Sequence, residues 1–232
     1  MKRKIYTAAA IILVAAVLAF LPHYTQVISY GEADVKFILD AGHGGLDGGA
    51  SAADGTIESG LNLSICLKLD AIMGLCGYPT VLTRYIEDIS YPESANTIHK
   101  KKVYDQKSRI ELINSVENAL VVSIHLNKFS DSQPRGAQVL YNGLGSSKEL
   151  AEYMQAQFTN VLQNGNKRSA ARVPKDIYLM KQINCPGLIV ECGFLSNPDE
   201  TRLLKTDLYQ TKLAAIIAAS CMKYKDIKGA AA

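Results

Sequence analysis

Short apolar runs alternate with amphipathic segments from about residue 35 to the C-terminus, and this alternation predicts the fold. Each apolar run is brief and most are rich in β-branched residues, which is typical of buried strands. The runs occupy residues 35–39, 79–83, 119–125, 137–142, 177–180 and 187–191. Helical segments separate or follow them over residues 58–73, 106–117, 147–162 and 198–225. The pattern predicts an α/β three-layer sandwich, with a central, mostly parallel, six-stranded sheet flanked by helices.

The first helical segment has the clearest periodicity. Leu61, Ile65 and Leu69 recur every four residues and form one apolar face, and Thr56 is predicted as the N-cap. Residues 85–104 lack periodicity and are interpreted as a loop or short helix. Residues 163–176 are basic and polar and are interpreted as a loop.

Three polar residues mark the ends of predicted strands. His43 follows the first strand, His125 ends the third and Glu191 ends the last. In α/β sheets the active site forms where strands end. These three side chains are therefore expected to share one site.

The N-terminus resembles an export segment. Lys2, Arg3 and Lys4 precede an uncharged apolar run over residues 7–21, which is the basic-then-apolar order of a secretory signal. No clean cleavage site follows, so an uncleaved membrane anchor remains an alternative. Residues 1–31 are predicted to be the signal or anchor, and residues 32–232 one catalytic domain.

Charge and cysteines exclude several other classes. A net charge of +3 does not favour nucleic acid, and the chain carries no phosphate-binding glycine motif. The five cysteines are an odd number and most lie in apolar segments, which favours free buried thiols. A bridge between Cys66 and Cys76 stays open as an alternative.

The remaining polar residues match the needs of a zinc hydrolase. Such a site takes about three His or carboxylate ligands and a nearby carboxylate that moves protons. Of four histidines, His23 lies in the export segment and His99 in a lysine-rich stretch, which leaves His43 and His125. Glu58 opens the first helix, where it is a candidate third ligand or simply a favourable charge at the helix N-terminus. Glu191 ends an apolar strand, where a charged side chain needs either an interaction partner or a functional role.

Six blocks of sequence resemble one known family. They are "ILDAGHGGLDGGA", "IESGLNLSICLKL", "VLTR", "RIELIN", "VVSIHLN" and "CPGLIVECGFLSNPDE", in this order over residues 35–224. The chain resembles the zinc-dependent N-acetylmuramoyl-L-alanine amidases of the amidase-3 type. One departure is Ala41, where the family block usually has proline.

The resemblance implies a function for each block. It implies one zinc ion bound by His43, Glu58 and His125, with Glu191 as the catalytic carboxylate. Asp47 is expected to orient one of the metal ligands without binding the metal itself. Arg84, Arg109 and Asn127 match recurrent family positions and are expected to shape the substrate cleft, although a structural ion pair explains the arginines equally well.

The short chain most resembles the sporulation amidases of Gram-positive spore formers. Its expected substrate is peptidoglycan, from which it would remove stem peptides during spore-cortex maturation, before muramic-δ-lactam forms. The expected location is the cell wall or the forespore intermembrane space. With no wall-binding repeats of its own, the chain is also expected to use an activating or targeting protein partner.

Three alternatives compete with this interpretation. A serine esterase would need a G-x-S-x-G turn, which the sequence lacks. A zinc carboxypeptidase shares the broad architecture but would trim the far end of the peptide. A partner-dependent wall-binding zinc domain would show little activity alone.

Overall fold

A computed structural model describes residues 35–230 of the chain. The predicted signal or anchor at residues 1–31 lies outside the described residues. Within the described range, no helix is both long enough and apolar enough to pass through a bilayer.

Six strands form one sheet, in the order β2-β1-β3-β6-β4-β5. Neighbouring strands run parallel except β4 and β6, which are antiparallel. The strands are β1 (Lys36–Ala41), β2 (Thr80–Leu82), β3 (Ala119–Asn127), β4 (Gln138–Tyr141), β5 (Ala171–Arg172) and β6 (Gly187–Phe194). The predicted six-stranded, mostly parallel sheet is confirmed.

The helices of the described range cover both faces of this sheet. They are α1 (Glu58–Leu75), α2 (Ile98–Asn114), α3 (Ser147–Leu162), α4 (Tyr178–Gln182), α5 (Pro198–Leu204), α6 (Asp207–Met222) and α7 (Tyr224–Ala230). α1, α3 and α6 pack on one face, and α2 and α4 on the other. The three-layer arrangement follows from strands whose two faces are both apolar.

The alternation of side chains along β3 and β6 explains how the core and the site share these strands. In β3, Val122 and Ile124 face the larger core, under α1, α3 and α6, while Val121 faces the smaller core. Because successive strand residues point to opposite faces, His125 emerges on the α2 side. Glu191 lies on the same side, since Val190 and Cys192 belong to the larger core.

One predicted strand is wrong. Residues 177–180 fall in and just before the short helix α4, in which Met180 is buried and Tyr178 is exposed. A four-residue apolar run carries too little periodicity to distinguish a strand from a buried helical turn. The strand that completes the six is instead β5, Ala171–Arg172, which lies inside the segment interpreted as a basic loop.

Two helix starts also differ from the sequence interpretation. α2 begins at Ile98, where the Thr97 side chain accepts a hydrogen bond from the Lys100 backbone. Its first two turns are mostly exposed and rich in lysine, so they lack the apolar period that the prediction needed. The N-cap of α1 is Ile57, which makes no side-chain cap, rather than Thr56.

All five cysteines lie within the described residues and are free thiols, so the alternative Cys66–Cys76 bridge is absent. Cys76 is exposed and the other four are buried.

Candidate active site

Strand pairing brings His125 and Glu191 together near the carboxyl ends of β3 and β6, although the strands do not end at these residues as predicted but continue to Asn127 and Phe194. His125 on β3 pairs directly with Glu191 on β6. Gly42 follows β1, and its backbone N–H donates to Ile124 O over 3.0 Å. The loop that starts there carries His43 to the same edge. Both histidines and Glu191 line one cleft of about 350 Å³.

His43, Glu58 and His125 form a group that could hold one metal ion. The Glu58 Oε1 atom lies 3.4 Å from His43 Nε2 and 3.1 Å from His125 Nδ1. Ligand atoms about 2.0–2.1 Å from a tetrahedral zinc ion lie roughly 3.3 Å from one another. The spacing and the two-nitrogen, one-carboxylate donor set therefore fit a zinc site with an open fourth position.

The carboxylate of Glu58 is held on both oxygens. Oε2 accepts a hydrogen bond from the Ala50 backbone at 2.8 Å, and Oε1 accepts one from the Leu126 backbone at 3.1 Å. Burial by itself would raise the pKa of Glu58, but hydrogen bonds with His125 and His43 lower it well below its usual range. Glu58 is thus ionised, as a metal ligand must be.

His43 has a strained backbone. Its φ is 62°, in the left-handed region that residues other than glycine rarely adopt. Arg109 Nη2 donates to its carbonyl oxygen, and its ring Nδ1 lies 3.1 Å from Asp47 Oδ2. Burial by itself would lower the pKa of His43, but Glu58 and Asp47 raise it to about 8. Asp47 thus contacts the far side of the ring, leaving Nε2 to face Glu58.

Two glycines leave room for these side chains. A Cβ on Gly42 would lie 2.3 Å from the His125 ring, and a Cβ on Gly49 would lie 2.6 Å from Glu58 Oε2. Gly49 also has a φ of +70°. Close approach of the ligands explains two of the five glycines between residues 42 and 49.

Gly49→Ala is expected to weaken zinc binding about 10–100-fold, the usual loss when the support of a ligand is disturbed. The added methyl group would push against Glu58 and His43. Isothermal titration of the metal-free protein with zinc measures the change. Gly55→Ala is the matched control, because Gly55 has a φ of +84° but nothing within 4 Å of its Cβ. Equal zinc affinities in the two variants would contradict this expectation.

Glu191 is half-buried, and its Oε2 atom is buried without a hydrogen-bond partner. Burial raises its pKa, although the nearby His125 acts in the opposite direction. A carboxylate with an unpartnered oxygen and a raised pKa is suited to accepting and returning a proton.

The two arginines brace the site loop. Arg84 donates to the carbonyls of Ala41, Gly42 and Ser59 over 2.9–3.2 Å. Arg109 forms an ion pair with Asp40 at 2.7 Å, and both side chains are buried. Arg109 also lines the cleft, whereas Asn127 lies at the end of β3.

Asp40 anchors this bracing at the end of β1. Burial by itself would raise the pKa of its carboxyl, but the Arg109 charge and hydrogen bonds from Ser123 and Thr83 lower it to about 2. A pKa below its unfolded value means that the ionised carboxylate stabilises the fold. The contribution is about 2 kcal/mol, fully present above about pH 4 and lost as the pH falls through about 2.

Asp40→Asn is expected to lower the free energy of unfolding at pH 7 by about 2–3 kcal/mol, because the buried Arg109 would lose its ion pair with Asp40 and keep only Asp105 as a charged partner. The variant should also lose less stability than the wild type between pH 4 and pH 2. Urea unfolding at several pH values measures both effects. Asp226→Asn is the control, since Asp226 pairs with Lys223 at the surface and should change stability by less than about 1 kcal/mol. A similar small effect in both variants would contradict the bracing role of Asp40.

Sequence reasoning missed one supporting side chain. Asn62 lies one turn after Glu58 on α1, fully buried, and its Nδ2 donates to Glu58 Oε1 and to Gly42 O, each at 3.2 Å. A buried Asn on the apolar face of a helix was the available signal, since such a side chain needs hydrogen-bond partners.

Residues 37–223 match the amidase-3 family, described as N-acetylmuramoyl-L-alanine amidase. A germination-specific N-acetylmuramoyl-L-alanine amidase from Bacillus subtilis is 35% identical over 192 residues, which cover 82% of this chain and 80% of that protein.

Solved structures are similar over the same region. The CwlD amidase from Clostridioides difficile, solved in complex with the GerS lipoprotein, has a TM-score of 0.79 and 39% identity, covering 84% of this chain and 100% of that one. The amidase AmiC2 from Nostoc punctiforme has a TM-score of 0.71 and 25% identity, covering 84% and 99%.

Proposed function

The chain belongs to the amidase-3 family of N-acetylmuramoyl-L-alanine amidases, as the sequence motifs predicted, and we propose that one zinc ion held by His43, Glu58 and His125 serves its reaction. Glu191 is the proposed catalytic carboxylate. The observation that carries the proposal is the convergence of two imidazole nitrogens and one carboxylate oxygen at ligand spacing, with Glu191 in the same cleft.

The residues of the site divide the work of hydrolysis. Zinc at this site would supply Lewis acidity toward the amide carbonyl and lower the pKa of water. Glu191 accepts the proton of the attacking water and then returns it to the nitrogen of the departing L-alanine. Glu58 stays ionised and Asp47 fixes the orientation of His43, so the ligands need little rearrangement.

The substrate is proposed to be spore-cortex peptidoglycan, from which the enzyme removes stem peptides before muramic-δ-lactam forms. Support comes from the name of the Bacillus relative, a germination-specific amidase. A protein partner is also proposed, because the similar CwlD amidase was solved in complex with a lipoprotein. Residues 1–31 are proposed to direct export to the cell wall or the forespore intermembrane space, and residues 32–232 to form the catalytic domain.

Mass spectrometry of digestion products tests this proposal. Purified protein is incubated with cortex or vegetative peptidoglycan, with and without added zinc. We expect free peptides that begin with L-alanine, in zinc-dependent amounts and preferentially from cortex. Loss of residues only from the far end of the stem would indicate a carboxypeptidase and contradict the proposal.

The same assay tests the partner. Activity with zinc alone would show that the partner is not needed for activation and would leave it a targeting role. Zinc-replete protein that binds peptidoglycan but leaves the stems intact would favour a partner-dependent, wall-binding domain.

A further inference from the structure

Arg168 lies beside the catalytic centre with most of its hydrogen-bonding capacity unused. It belongs to the segment between α3 and β5, which contributes no residue to the proposed metal site. Its Nη1 donates to Gln138 Oε1 over 2.8 Å, while its Nε is buried without an acceptor. Among the described residues, Gln138 is the side chain that accepts from this guanidinium, so Arg168 is not a satisfied structural arginine.

The sheet register places Arg168 in line with the site. On one face of the sheet, His125, Glu191 and Gln138 are direct neighbours on β3, β6 and β4. Directly opposed residues share a face, and adjacent strands are about 4.8 Å apart. The guanidinium bonded to Gln138 therefore continues the row that starts at the proposed metal ligand and passes the proposed catalytic carboxylate.

The head group of Arg168 is also fixed in position. Its guanidinium carbon lies 4.3 Å from the centre of the Phe194 ring and 5.8 Å from that of Phe129. Glu200 in turn accepts a hydrogen bond from the Phe194 backbone at 2.9 Å. Stacking on a fixed aromatic ring holds the planar guanidinium in one orientation, which suits it to bidentate recognition of a carboxylate.

The chemistry of the substrate decides what Arg168 would bind. The lactyl carboxyl of the sugar is consumed in the amide bond, so the glycan side of the substrate is neutral. The stem peptide carries free carboxylates beyond L-alanine. A guanidinium next to the reaction centre is therefore complementary to the peptide side.

From this geometry we infer that Arg168 is a specificity residue that binds a stem-peptide carboxylate and positions the peptide for cleavage. The inference rests on the proposed function of the His43, Glu58, His125 and Glu191 site. It adds a binding position for the leaving peptide on the β4 side of the sheet.

The test compares two soluble disaccharide–peptide substrates with the zinc-loaded full chain. In one substrate the stem carboxylates are free, and in the other they are converted to carboxamides. Wild-type protein is expected to cleave the free form with a kcat/KM about tenfold or more above that of the amidated form, the usual range for a charged hydrogen bond.

Arg168→Gln is expected to raise KM for the free form about tenfold, with little change in kcat and little change on the amidated form. Arg168→Lys keeps the charge but loses the planar fork, so its KM for the free form should lie between those of the wild type and Arg168→Gln. Lys167→Gln removes the same charge from the neighbouring, exposed position and should leave both substrates unaffected.

The outcomes separate this inference from the proposed function. Wild-type protein that cleaves both substrates equally, or an Arg168→Gln loss that is the same on both, would overturn the role of Arg168 alone. No release of L-alanine-led peptides from either substrate, with zinc bound, would overturn the proposed function together with the inference.

Discussion

Glu191→Gln is expected to lower kcat by about 10²–10⁴-fold, the range for loss of a general acid–base group, while zinc stays bound. The glutamine has nearly the same shape but cannot accept the proton of water. Because His43, Glu58 and His125 are unchanged, the ligand set stays complete. Steady-state assays with a muropeptide, together with metal analysis of the same samples, measure both quantities.

The same variant is expected to be more stable than the wild type when both are metal-free. Burial raises the pKa of Glu191, so its ionised form at neutral pH destabilises the fold, and a neutral amide removes that penalty. Urea unfolding in the presence of a chelator tests this. Glu152→Gln on the exposed surface of α3 is the control for the change of charge. Activity within threefold of wild type would exclude Glu191 as the proton carrier.

His125→Ala is expected to remove both zinc and activity. One of three ligands is lost, so zinc affinity should fall by more than about 100-fold, beyond the loss that supporting residues produce. Activity at stoichiometric zinc should then fall to background. Metal analysis after gel filtration, followed by assay of the same fractions, measures the two effects together.

His99→Ala is the matched control for this experiment. His99 is an exposed histidine near the start of α2 and does not belong to the ligand group. The His99→Ala variant should bind one zinc ion and cleave substrate as the wild type does. Zinc retained at full stoichiometry in His125→Ala would rule out the proposed ligand set.

The larger features of the fold could be read from the sequence because they depend on periodicity. Strongly apolar runs such as residues 119–125 form strands in almost any context, and the period of Leu61, Ile65 and Leu69 specifies a helix. The element type of short segments could not be predicted in this way. Residues 177–180 form part of a helical turn, and Ala171–Arg172 pair with β4, because tertiary contacts override weak local preference.

The sequence by itself also indicated the chemistry: which residues are able to bind a metal, and that His43 and His125 lie near strand ends while Glu58 opens a helix. Tertiary structure alone decided their geometry. His43 adopts a left-handed backbone. The ion pair of Asp40 with Arg109 and the row from His125 to Arg168 join residues that are far apart along the chain. Local patterns encode element type and face, whereas distances between side chains depend on how the elements pack, which no local pattern contains.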